Sequence, residues 1–144
     1  MTYCMSKLAQ FSLIPILAIA ASAQVPRTGS TAAPASAVER GKYIVENVAM
    51  CELCHTPRDE NGQPDRARWL MGGPLQIQGT YPAHWAVRAP RIAGDPPGTD
   101  AQFIKLLTTG ISRTGSPPDP PMPPFHMTRE DAEAVLAYLK SLRQ

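Results

Sequence analysis

Cys51 and Cys54 stand three residues apart, and His55 follows directly. Side chains at i and i+3 of a helical turn share one face, so two thiols at this spacing can reach one flat molecule together. C-x-x-C-H is the pattern of covalent haem attachment. Each thiol adds to a vinyl group of the same porphyrin, and the adjacent imidazole, a donor suited to iron, takes an axial position. Cys51, Cys54 and His55 are therefore the candidate cofactor-binding residues, with His55 as a metal ligand. Two other chemistries use the same thiols: a structural or redox disulfide, and zinc completed by His84 or His126. Zinc sites usually draw on paired clusters, yet no second C-x-x-C or H-x-x-x-H occurs. A thioredoxin-like use wants a βαβ pattern that the chain lacks.

Iron that only shuttles electrons needs a second axial ligand, and methionine opposite histidine raises the reduction potential. Met122 lies in Pro120-Pro121-Met122-Pro123-Pro124, where the following proline favours extended backbone and a stiff segment holds the side chain out. It is the preferred ligand. Met127 is the second candidate ligand, but it precedes Thr128, a position from which an apolar side chain packs on the fourth helical residue, here Ala132, as a hydrophobic staple. His84, His126 and Met71 are lesser candidates. An open position, with the methionines as core residues, would give a five-coordinate catalytic or ligand-sensing haem instead.

Three helices must position these groups. Val38, Gly41, Ile44, Val45 and Val48 recur at three- and four-residue spacing up to about Met50, predicting an amphipathic helix that leads into the cysteines. Thr99 or Asp100 can cap a short helix through Thr109, with Phe103, Ile104, Leu106 and Leu107 on its buried side and Gly110 as its stop. Thr128 with Asp131 resembles a capping box, and Ala132, Val135, Leu136, Leu139 and Leu142 share one face of a helix running nearly to Gln144. Between Thr56 and Thr99, prolines and glycines break every period. So long an irregular stretch makes sense in a compact domain if it packs on a cofactor.

Arg88, Arg91 and Arg113 could pair with haem propionates, and Trp69, Trp85 or Tyr81 could donate hydrogen bonds there. Surface charge is the preferred reading of the arginines, while Trp69 and Trp85 suit the cofactor wall and the core alike. Asp119, Glu130 and Asp131 form no catalytic set, since Glu130 and Asp131 belong to the first turn of the last helix, where carboxylates favour the dipole.

The start of the chain reads as an export signal. Lys7 precedes an apolar run, Leu8 to Ala21, that ends in Ala21-Ser22-Ala23 before Gln24. This run is shorter than the roughly 20 apolar residues of a membrane span, so residues 1–23 are expected to be a cleaved signal, with an uncleaved anchor as the alternative. Residues 24–37, small, polar and proline-containing, form a flexible leader, and 38–144 form one domain. Of three cysteines, Cys4 would leave with the signal, and Cys51 and Cys54 would face an oxidising, periplasmic compartment. A net formal charge of +2 gives no nucleic-acid footprint.

CELCH, the opening helix, the proline-flanked methionine and DAEAVLAYLKSL together resemble the class I cytochromes c over about residues 38–143. ERGKYIVENVAMCELCHTPR, WLMGGPL, Ala89-Pro90, FIKLLTTGISRTG and PPMPPFHMTREDAEAVLAYLKSL are similar to the small cytochrome subunits and domains that accompany periplasmic alcohol, gluconate and molybdenum-containing aldehyde or isoquinoline dehydrogenases. The resemblance implies an all-α domain of three to four helices wrapped with long loops around one haem c. It also implies Gly41 and Tyr138 at the crossing of the first and last helices. The implied function is single-electron transfer from a dehydrogenase toward another cytochrome or a terminal oxidase, by a chain that is not itself an enzyme. Where those relatives often carry aromatic residues after Met-Pro, this chain has Pro124-Phe125.

Overall fold

The computed structural model describes residues 36–77, 79–80 and 84–142. The expected signal, the leader up to residue 35, Tyr81 and the last two residues lie outside these. Helix α1, Ala37–Tyr43, starts at Ser36, whose hydroxyl accepts from the Glu39 amide at 3.2 Å while the Glu39 carboxylate accepts from the Ser36 amide at 2.9 Å. This reciprocal cap satisfies two donors that a helix start would otherwise orphan. The chain then widens into a π-helical turn, Ile44–Val48, closed by the Ala49 amide on the Ile44 carbonyl at 2.7 Å.

The widened turn corrects the first helix prediction. Gly41, Ile44 and Val45 are buried as expected, but Val38 is 40% and Val48 57% exposed. Val38 sits in the first turn, before α1 reaches its buried contact at Gly41. Val48 follows an inserted residue that shifts the helical phase, so three-and-four spacing no longer tracks one face.

Helix α2, Glu52–His55, is a single turn. A 3₁₀ turn, Arg66–Arg68, is capped by Asp65. Strands β1, Gly73–Pro74, and β2, Arg88–Ala89, pair antiparallel, Gly73 opposite Ala89 and Pro74 opposite Arg88. Helix α3, Asp100–Thr109, carries the Thr99–Gln102 capping box and ends at Gly110 with φ 72°, as its sequence predicts. Phe103 and Leu107 are buried, whereas Ile104 and Leu106 are half-buried.

Helix α4, Arg129–Ser141, begins at Thr128, whose hydroxyl accepts from the Asp131 amide at 3.1 Å. Asp131 does not complete the predicted box: its carboxylate reaches across to Arg40 of α1, with contacts of 2.9 and 3.2 Å. Ala132, Val135, Leu136 and Leu139 are buried, and Leu142 is half-buried. Ala134 and Tyr138 are buried on the side facing α1. The core gathers Ile44 and Val45, Leu70, Ile92 and Ala93 of the loops, Phe103 and Leu107 of α3, and the inner face of α4. Among the described residues the fold is all-α apart from the β1–β2 pair and an isolated bridge between Arg58 and Pro64, and no helix there is long and apolar enough to cross a membrane.

Candidate cofactor cleft

The α2 turn brings the three motif residues to one wall. The amides of Cys54 and His55 both close on the Cys51 carbonyl, at 3.3 and 2.9 Å, and Cys51, Cys54 and His55 all line a single cleft of about 300 Å³. That volume is in the range of small-molecule and cofactor sites. Phe103 and Leu107 from α3 and Val135 and Leu139 from α4 make its floor apolar, and Leu75, Ala86, Met122 and Met127 come from loops.

His55 is buried, and its Nδ1 lies 2.8 Å from the Pro90 carbonyl. A carbonyl only accepts, so Nδ1 carries the proton and Nε2 keeps a free lone pair. Burial holds the imidazole pKa below its ordinary value, opposed by the Pro90 contact, which keeps the ring neutral and fit to ligate. Gly72 makes this arrangement possible. Its φ is 72°, and a Cβ there would lie 2.6 Å from the Pro90 carbonyl carbon and 2.5 Å from the Arg91 nitrogen. The Gly72 amide also donates to the His55 carbonyl at 2.7 Å.

Burial, with the charge of Glu52 second, pushes the Cys51 thiol up to about 12. Both thiols are unbonded. His84 and His126 are exposed and neither is among the lining residues. Among the described residues no cluster of three or more His, Cys, Asp or Glu could hold a metal ion, so the zinc alternative finds no ligand set there.

Met122 and Met127 are both half-buried and both line the cleft; Met71 does not. Met127 packs against the core as its staple role requires, yet its amide donates to the Leu107 carbonyl at 2.9 Å, which draws the residue to the end of α3 and the cleft wall. Both methionines that the sequence offers as distal ligands thus line the cleft.

Arg88 and Arg113 are exposed at the cleft lining, and Asp119 joins them. Arg91 is committed elsewhere, its Nε donating to the Ala93 carbonyl at 2.7 Å. Of the two uses open to the tryptophans, neither residue lines the cleft, and Trp69 packs against the core. Trp85 donates Nε1–H to the Ile77 carbonyl at 2.8 Å, and Arg66 stacks 4.0 Å over the Trp69 ring. The Ala86 amide donates to the Pro120 carbonyl at 2.7 Å, tying the loop of Leu75 and Ala86 to the loop of Met122.

Two thiols and an imidazole from one turn, facing an apolar cleft that also receives thioethers, could hold a covalently attached haem with axial nitrogen and sulfur donors. Comparison with known proteins points the same way. A diheme cytochrome c-type protein of Cereibacter sphaeroides is 35% identical over 108 residues, 71% of this chain and 34% of that protein. The fructose dehydrogenase cytochrome subunit of Gluconobacter japonicus is 27% identical over 72% of this chain and 21% of its own length. A nicotinate dehydrogenase subunit of Pseudomonas putida is 27% identical over 72% of this chain and 9% of its own. The chain thus spans about a third or less of these relatives. The cytochrome c family model matches residues 38–143, and the chain belongs to the cytochrome c family, whose members transfer electrons with covalently bound haem c.

Proposed function

We propose that residues 38–144 form a monohaem electron carrier in which Cys51 and Cys54 are the attachment points, His55 is the proximal ligand and Met122 the distal one. The observation that carries this reading is the single cleft lined by Cys51, Cys54, His55 and Met122 together. Bound haem supplies one-electron cycling of iron between the ferric and ferrous states. The chain's own groups do the rest. Pro90 orients the His55 ring and fixes its tautomer, the proline-flanked segment presents Met122, and the floor of Phe103, Leu107, Val135 and Leu139 gives the bound group an apolar bed. One C-x-x-C-H in the sequence supports one haem per chain.

Residues 1–23 act in this reading as an export signal and 24–37 as a leader, placing the domain in the periplasm. The names of two relatives, both parts of dehydrogenases, support a dehydrogenase as electron donor, with another cytochrome or an oxidase as acceptor. The chain would then serve as a carrier or as a subunit of an oxidoreductase complex, without substrate turnover of its own.

The test is co-expression with a covalent-haem maturation system, followed by intact mass and visible spectra in both oxidation states. A one-haem mass increment and a far-red ferric band from methionine–iron ligation are expected. Loss of that band in Met122→Ala but not in Met127→Ala assigns the ligand, and the reverse pattern transfers it to Met127. A colourless product from competent cells overturns the reading, and rapid carbon monoxide binding by the reduced protein replaces the carrier with a five-coordinate haem.

A further inference from the structure

Met50 has φ 47°, in the left-handed region just past the end of a helical segment. Glycine is the usual residue there, because a Cβ is disfavoured in that conformation. The surrounding hydrogen bonds impose it. The Ala49 amide closes on the Ile44 carbonyl at 2.7 Å, the Cys51 amide on the Val45 carbonyl at 2.9 Å, and the Leu53 amide on Met50's own carbonyl at 3.1 Å. Met50 is thus the joint between the first helical segment and the α2 turn. A joint with no use for a side chain would be better served by glycine. Met50 instead lines the cleft beside Cys51 while remaining 49% exposed, so one part of it faces the cleft and the other faces water.

We infer that Met50 is a water-excluding cover for the Cys51 edge of the bound cofactor, and that a residue with a Cβ is kept at this disfavoured backbone angle for the sake of that side chain. The inference rests on the haem reading above. Its consequence is electrochemical. The ferric form carries one more positive charge than the ferrous form, and water stabilises the more charged state, so an apolar cover favours reduction. Backbone and side chain therefore pull in opposite directions at this residue, and substitution separates them.

The experiment compares the haem-loaded wild-type chain with Met50→Gly, Met50→Asn and Met50→Leu, by thermal midpoint and by equilibrium redox titration. Glycine and asparagine both accept the left-handed angle, but neither gives an apolar cover. Each should keep or raise the thermal midpoint while lowering the one-electron reduction equilibrium constant threefold or more, ~28 mV at about 59 mV per tenfold. Leucine should keep the equilibrium constant within twofold of wild type. Reduction unchanged in Met50→Gly and Met50→Asn overturns the cover and leaves Met50 a tolerated helix end. Potential and stability falling together overturns it as well, in favour of a packing role. A wild-type chain that acquires no haem overturns the haem reading itself, which the mass measurement reveals before any variant is compared.

Discussion

Gly41 and Ala134 meet so closely at the crossing of α1 and α4 that a Cβ on Gly41 would lie 1.9 Å from the Ala134 carbonyl oxygen, and 2.8 Å from the Tyr138 Cβ. The obstacle is helix backbone, which cannot step aside as a flexible side chain can. Gly41→Ala should therefore cost about 3 kcal/mol or more, read as a lower midpoint in urea unfolding. A midpoint within error of wild type would show that the helices cross with room to spare.

Tyr138, from the same crossing, donates its hydroxyl to the Glu46 carboxylate. Burial, and after it this hydrogen bond, push the phenol up to about 12, above the ordinary tyrosine value of about 10. The folded state favours the protonated form, so this contribution is complete below about pH 10 and is lost as pH rises toward 12. Tyr138→Phe should lower stability at pH 7 by about 1–2 kcal/mol and flatten the fall between pH 10 and 12. An unchanged alkaline limb in the variant would mean that another group titrates there.

In the haem-free chain, the raised Cys51 thiol leaves little thiolate near neutral pH, and thiolate is the reactive species. Alkylation at pH 8, followed by peptide mass mapping, should therefore modify Cys54 well before Cys51. Equal rates would show that the Cys51 wall of the cleft opens freely when no cofactor is attached.

At the start of α4 the two polar residues of the apparent box have separate tasks. Thr128→Ala removes the cap on the Asp131 amide and should cost about 1 kcal/mol. Asp131→Asn breaks the bridge to Arg40 instead, and its effect should fade in 1 M salt, as expected for an exposed pair. Chemical denaturation with urea at low and high salt distinguishes the two; salt dependence of the Thr128→Ala effect would contradict this division.

What could be read in the sequence follows the range of the interactions. The caps at Thr99, Gly110 and Thr128 are made within a few residues, so residue type announced them. The cysteines and His55 are contiguous, so their common wall follows from one turn. The π turn at Ile44–Val48 was hidden because one extra residue changes the phase without changing composition. Asp131 was misread because its partner lies on α1. Pro90 and Gly72, which set the His55 ring, act through backbone atoms that no side-chain pattern signals. Met122 and Met127 both reach the cleft, and the hydrogen bond that draws Met127 there joins it to Leu107, far back in the chain, where no local pattern signals it.

The hydrogen bond from Ala86 to Pro120 has a further meaning for the chain as a moving object. It ties two irregular segments that both reach the cleft wall, just beyond the end of the β1–β2 pair, where the Leu75 amide donates to the Val87 carbonyl at 3.0 Å. The Ala86 amide exchanges with solvent deuterium whenever the segments part and is protected whenever they meet. The exchange rate at Ala86, compared between the haem-free and haem-bearing chain, therefore reports how often these two segments part and whether a bound occupant holds them together.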